Sequence, residues 1–347
     1  MAGLKMISQK VGKPLVALAG LGIIFFIFKL SLASKQESKE DKTYKEYFLA
    51  HYKIFSATIP ADLNFAGEPV PLNDFTVYEN MDRELQVNTY YQSSSILLHK
   101  RVSRWFPLIE PILKRNGIPN DFKYVALIES NLTNAVSPKG ATGFWQMMEP
   151  TALAHGLEVN EEVDERYNVE RSTQVSCDYF NEAYKKFKNW TLVLASFNYG
   201  IEGLQKLLDD QKAKGYYDLL LNEETTRYMF RLLAIKEIIS HPKNYGFIIR
   251  KKDLYPPIRT FTITIDSGIT DLTVFAKKYD LSYKMLKYFN PWLRQNYLTN
   301  KDKKKYEITI PKAGYNESYF EDLSGYEKLK NGDDSVKYFN EKELLEK

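Results

Sequence analysis

The sequence predicts a mainly α-helical domain followed by a small β-α-α-β unit. From about Val87 to Gly246, apolar residues recur at helical spacing almost throughout. After Pro256-Pro257 the period drops to two, with Phe261, Ile263 and Ile265 alternating with Thr260, Thr262 and Thr264. Hydrophobic residues make up 44% of the 347 residues against 27% charged, a globular balance that excludes general disorder. At roughly 150 residues per domain, that length allows about two domains plus extensions.

The elements follow in order. Residues 1–34 read as a signal peptide or signal anchor. Lys5, Lys10 and Lys13 precede Leu15–Phe28, an uninterrupted apolar run shorter than the roughly 20 residues of a full span. Adding Leu30–Ala33 reaches spanning length if Lys29 snorkels, and Ser31-Leu-Ala33 also offers small residues for cleavage, so both fates stay open. Either fate exports the rest of the chain, to the periplasm or cell envelope, with anchoring in the inner membrane by residues 14–34 as the second case. Cysteine is missing just after the apolar run, so no lipoprotein anchor is expected.

Residues 35–90 read as a polar tether and a wrapped N-terminal extension, irregular where Pro and Gly cluster between Ile59 and Phe75. Residues 91–255 form the helical domain. Gly117-Ile-Pro119 closes one helix, Asn120 or Asp121 caps the next, and Pro242 ends the last long one. Residues 256–313 form the β-α-α-β unit: helices at Asp271–Tyr279 and Ser282–Phe289, then a strand over 306–310 before Pro311. The tail from 314 to 347 is rich in charge, Gly and Asn and is expected to be mobile.

Charge and composition exclude several functions. The net charge is +4, but residues 1–35 hold five lysines and no acid, leaving −1 for the remainder. A nucleic-acid protein does not fit that balance. One cysteine, Cys177, excludes an intrachain disulfide and any Cys-rich zinc site; it reads as a small core residue. His51, His99, His155 and His241 are scattered, so neither a metal centre nor another cofactor is expected.

The informative stretch begins at Phe122. On a helix, Phe122, Val125, Ala126 and Glu129 share one face. A carboxylate among apolar neighbours loses hydration, so its pKa rises and the acid form persists near neutrality, as a general acid requires. A buried Glu paired with arginine or capping a backbone amide fits the same segment. Next comes a turn running from Ser137 through Gly140 and Gly143 to Met148. Its glycines would let backbone approach a ligand, Trp145 would offer a stacking face, and Ser137 and Gln146 would offer uncharged hydrogen bonds. Downstream, Phe197-Asn198-Tyr199-Gly200 ends a helix. Taken singly, Trp145 fits a core equally well and Asn198 fits a C-cap.

In this order and spacing, and closed by Glu224-Thr-Thr-Arg-Tyr228, these residues resemble the lytic transglycosylases with a soluble-lytic-transglycosylase domain on a lysozyme-like fold. The likeness covers roughly Ile96–Tyr245 and is nearest the membrane-bound murein transglycosylase D group. The β-α-α-β unit looks like a degenerate LysM domain: Ser267-Gly-Ile-Thr-Asp271-Leu stands where Gly-Asp-Thr-Leu is usual, leaving glycan binding and simple packing both open. By resemblance, Glu129 matches the catalytic acid/base, and Ser137, Gln146, Met148, Asn198 and Tyr228 match positions lining the saccharide groove. Phe197 departs from the family's usual tyrosine, so the missing phenol must come from elsewhere, with Tyr228 and Tyr199 as candidates. Phe144-Trp145 replaces the commoner Leu-Met.

The resemblance implies a reaction on peptidoglycan glycan strands. Glu129 protonates the bond between N-acetylmuramic acid and N-acetylglucosamine, then takes the proton of the muramic C6 hydroxyl as a 1,6-anhydro ring closes. Membrane contact would come only through the N-terminal segment if it is uncleaved. Two rivals remain. A lysozyme-type hydrolase would use Asp164 or Glu165 to position water, although Asp164-Glu165-Arg166 also reads as a local ion pair. A catalytically inactive peptidoglycan-binding scaffold would tolerate loss of Glu129.

Overall fold

The computed structural model describes residues 54–325, together with Glu46, Leu49 and Ala50. The chain divides into two compact units, residues 1–56 and 57–347, and the site lies in the second. The expected leader, the polar tether and the tail beyond 325 fall outside the described residues. Among the described residues no helix is long and apolar enough to cross a membrane.

The second unit opens with a short hairpin, β1 (Asn64–Phe65) and β2 (Glu68–Pro69). Helix α1 (Phe75–Tyr90) starts where the Asp74 carboxylate accepts from the Thr76 and Val77 amides, an N-cap. A regular helix thus stands where an irregular wrapped segment is expected from the sequence. Leu63, Phe65 and Val70, in and beside the hairpin, enter the main core, and α1 buries Val77, Met81 and Leu85 at four-residue intervals. An ion pair between buried Glu84 and partly exposed Arg227 fixes α1 to the last long helix, Arg227 Nε donating to Glu84 Oε1 at 2.7 Å.

Helix α2 (Gln92–Arg115) ends at Asn116 and Gly117, whose φ of +69° suits glycine. A 3₁₀ turn at Asn120–Phe122 leads into α3 (Lys123–Ser130). Neither Asn120 nor Asp121 caps it. Asp121 is drawn off by tertiary partners, accepting from the Ala66 amide at 2.8 Å and from Lys236 Nζ at 2.6 Å. Then come α4 (Glu149–Ala154), α5 (Val169–Phe187), α6 (Trp190–Tyr199), α7 (Ile201–Gln211) and α8 (Glu223–Ser240). Asn168, Asn189 and Asn222 cap α5, α6 and α8 through their side-chain oxygens. Short α3 packs against both α2 and α8, which presses the helix carrying Glu129 into the apolar core. Cys177 is buried there, its thiol pushed up to about 12 by burial.

The small unit pairs β3 (Thr260–Ile265) with β4 (Tyr306–Pro311), antiparallel, Ile263 opposite Ile308. Between them lie α9 (Leu272–Lys277), capped by Asp271, and α10 (Tyr283–Phe289), capped by Ser282. The expected buried face of β3 is only partly covered: Phe261 is 42% exposed, and the core is supplied from β4 by Tyr306, Ile308 and Ile310. Part of the expected mobile tail is helical, α11 (Tyr315–Gly325). A loop of the helical domain, residues 158–167, joins the small unit's core through Val163 and Tyr167. Backbone bonds run across this junction, Asp164 N–H to the Trp292 carbonyl at 2.9 Å and Arg294 N–H to the Glu162 carbonyl at 2.7 Å.

Candidate active site

Glu129 lies in the last turn of α3, half-buried, with Val125 and Ala126 of its own face fully buried behind it. Its hydrogen-bond partner is a hydroxyl. Tyr228 of α8 donates to Glu129 Oε1 at 2.6 Å. Burial pushes the Glu129 carboxyl up to about 7, while the Tyr228 hydrogen bond and the charge of Arg231 pull the other way and Glu224 adds to the rise. Burial and the neighbouring carboxylate hold the Tyr228 phenol well above its ordinary range, so it remains a donor. Arg231 donates through Nη2 to the Ile128 carbonyl at 3.1 Å, and its buried Nε has no partner among the described residues. It therefore acts on Glu129 through space. A carboxyl balanced near neutrality can give a proton and take one back.

The chain after Glu129 is shaped to hold this helix end. Ser130 Oγ donates to the Phe144 carbonyl at 2.8 Å, tying α3 to the following turn. Asn131 and Leu132 then adopt left-handed backbone, φ +53° and +54°, and reverse the chain. The turn itself is braced from within. Ser137 Oγ accepts from the Ala141 amide at 2.9 Å, and Gln146, at φ +46°, donates through Nε2 to the carbonyls of Ala135 and Gly143, both at 2.9 Å. Met148 is 42% exposed.

Two expectations for this turn are corrected. Trp145 offers no stacking face: it is fully buried, its Nε1 donates to Thr173 Oγ1 at 2.9 Å, and its ring packs edge-on against Phe180. Gly143 makes its close approach to protein, since a Cβ there would stand 2.1 Å from the Arg166 carbonyl oxygen. Asn198 is half-buried and accepts from Thr225 Oγ1 at 2.8 Å, linking the end of α6 to the start of α8. Phe197 sits among Trp145, Tyr179 and Phe180. Of the two tyrosines considered in its place, Tyr228 is the one bonded to Glu129, and Tyr199 lies on the outer surface of α6, 36% exposed.

The second carboxylate region is locked. Arg166 grips Asp164 with Nε to Oδ1 at 2.9 Å and Nη2 to Oδ2 at 2.8 Å, both side chains about 10% exposed. Glu165 accepts from the Glu158 amide at 2.8 Å and from Arg171 at 3.3 Å. Arg166 also donates to the Gly140 carbonyl at 3.2 Å, so the pair buttresses the turn behind Glu129. Among the described residues, no group of three or more His, Cys, Asp or Glu side chains could hold a metal ion. Sequence reasoning missed Arg231 and the Glu84–Arg227 pair. Arg231 was within reach, being one helical turn after Tyr228 and so on its face; Glu84 meets Arg227 from 143 residues away and had no local signal.

The helical domain that carries this site and the small unit after it each match a described domain. Residues 107–220 match the transglycosylase SLT domain, and residues 261–314 match the soluble lytic transglycosylase C-terminal LysM-like domain. The chain is similar to the membrane-bound lytic murein transglycosylase D of Escherichia coli strain K12, 25% identical over 227 residues, which are 64% of this chain and 48% of that protein. It thus spans about half the length of the curated relatives it matches. Among solved structures it is similar to an inactive mutant of the lytic transglycosylase Slt from Pseudomonas aeruginosa, at 18% identity over 41% of this chain and 24% of that one, TM-score 0.34. It is also similar to the 70 kDa soluble lytic transglycosylase from Escherichia coli, at 16% identity over 47% and 30%, TM-score 0.37.

Proposed function

We propose that this chain is a peptidoglycan lytic transglycosylase of the cell envelope, with Glu129 acting first as acid and then as base. The observation that carries this reading is the state of Glu129: half-buried, pushed up to about 7, and partnered by a phenol rather than a cation. The glycosidic oxygen between N-acetylmuramic acid and N-acetylglucosamine takes the Glu129 proton as its bond to the muramic anomeric carbon breaks. The muramic N-acetyl oxygen assists at that carbon. The ionised Glu129 then accepts the proton of the same sugar's C6 hydroxyl, whose oxygen closes the 1,6-anhydro ring and releases the N-acetyl oxygen. Proton and electron pairs balance and water is not consumed, so one carboxyl suffices.

Tyr228 keeps the carboxyl oriented, and Ser137, Gln146, Met148 and Asn198 frame the groove wall on which the saccharide is held. A hydrolytic route through Asp164 or Glu165 finds no support, because both carboxylates are engaged by arginines. The N-terminal segment would export the chain, with its cleavage or retention deciding whether it stays at the membrane. Digestion of isolated peptidoglycan followed by mass spectrometry tests the reading. Products ending in anhydro-muramic acid, absent with Glu129→Gln, are expected; reducing muramic ends would replace it with a hydrolase, and unchanged glycan would leave a binding scaffold.

A further inference from the structure

A cavity of about 580 Å³ opens between the helical domain and the LysM-like unit. That volume falls in the range of pockets that hold small molecules. Glu129 does not line it, but Leu132, Thr133 and Asn134, which follow Glu129 in the chain, do. Its walls combine ring faces with cations: Trp105 from α2, Tyr255 from the connecting segment, Tyr288 and Phe289 from α10, with Arg101 and Arg104. Tyr288 is 47% exposed, and the rings of Trp105, Tyr255 and Phe289 are half-buried, so they keep surface for a ligand. Sugar rings present flat C–H faces that pack on such surfaces.

The walls are held in place from both sides. Arg104 donates to the Pro256 carbonyl at 3.2 Å and to the Tyr288 hydroxyl at 3.0 Å, and its guanidinium lies 5.3 Å from the Tyr255 ring centre. Trp105 is set edge-on against Phe144, ring centres 4.9 Å apart. The backbone bonds of the 158–167 loop fix the two domains, so the cavity exists before any ligand arrives. Arg101 donates through Nη1 to the Asn131 carbonyl at 3.1 Å. A guanidinium carries five N–H donors, so it can serve a ligand as well. The lining holds two arginines against one acid, Glu170, which favours a carboxylate on the occupant.

We propose that this interdomain cleft is a second glycan site, taking a carboxylate-bearing amino-sugar segment with its rings on Trp105 and Tyr288 and its carboxylate on Arg101. The proposal rests on the peptidoglycan reading above and adds where the strand is held away from Glu129. A muramic lactyl group and a stem peptide both carry such carboxylates, and the test separates them.

Calorimetry on the full chain bearing Glu129→Gln would compare three probes: a peptide-free oligomer of N-acetylglucosamine and N-acetylmuramic acid, a neutral N-acetylglucosamine oligomer of equal length, and a free stem peptide. The muramic oligomer is expected to bind roughly tenfold more tightly than the neutral one, and Arg101→Ala to erase that difference. Preference for the free peptide would move the carboxylate assignment to the stem and overturn the amino-sugar assignment. Hydrogen exchange on the same protein, with no cleft residue altered, should show glycan-dependent protection of residues 131–134 and 286–292. Protection confined to 135–148, or equal affinity for both oligomers, overturns the proposal. If wild-type protein still yields anhydro products, only the cleft assignment falls; without them, the transglycosylase reading falls first.

Discussion

Two acidic regions of the helical domain have opposite surroundings. Glu129 is set into an apolar helix face with a phenol as its partner, and burial raises its pKa to about 7. Asp164 and Glu165 are more deeply buried than Glu129, but each is met by a guanidinium. Burial alone therefore does not single out a candidate acid. What decides is whether the compensating group is a full positive charge, which stabilises the carboxylate, or a neutral donor, which leaves the proton bound near neutral pH. The charged pair instead does mechanical work, with Arg166 holding the Gly140 carbonyl and its own carbonyl pressed against Gly143.

The comparison can be broken at either end. Glu129→Gln should lower glycan cleavage by roughly 10²–10⁴-fold while leaving the fold intact, read by product formation and circular dichroism. The same variant should gain stability. A carboxyl whose pKa rises on folding, from 4.5 to about 7, binds its proton more tightly in the native state, so stability falls as pH rises through that interval. Glu129→Gln should thus be about 1–3 kcal/mol more stable than wild type above pH 7. The gain should vanish below pH 4.5, where the wild-type carboxyl is protonated in both states, as urea titration at several pH values would report.

Asp164→Ala removes one partner of a buried pair and should cost about 3–5 kcal/mol, because Arg166 is left charged and uncompensated. Any loss of cleavage should then follow unfolding; selective loss of activity in a stable protein would give Asp164 a chemical role and end the contrast. The smallest effect is expected from Tyr228→Phe. Removing a donor that lowers the Glu129 pKa should move the alkaline limb of kcat/KM to higher pH, with a smaller fall in rate than Glu129→Gln gives.

The fold class was legible because it rests on periodicity: the helical spacing up to Gly246 and the alternation after Pro257 both became the expected elements. The start of a helix at Asp271 was readable, whereas the cap expected at Asn120 or Asp121 does not form, because Ala66 and Lys236 compete for Asp121 from far along the chain. The helix before Val87 did carry local signals, the Asp74 cap and the spacing of Val77, Met81 and Leu85, but the Pro and Gly clustered between Ile59 and Phe75 masked them. At the site, the face carrying Glu129 could be read from spacing. The roles of Trp145 and Gly143 could not, because glycine and tryptophan mean close approach and a large apolar ring without saying whether ligand or protein lies opposite.

Direct titration of the Glu129 carboxyl by carbon-13 NMR, assigned by comparison with Glu129→Gln, bears most closely on the proton shuttle. A midpoint near 7, moving upward in Tyr228→Phe, is the predicted result. A midpoint near 4.5 would mean that Glu129 is ionised at neutral pH and cannot supply the first proton.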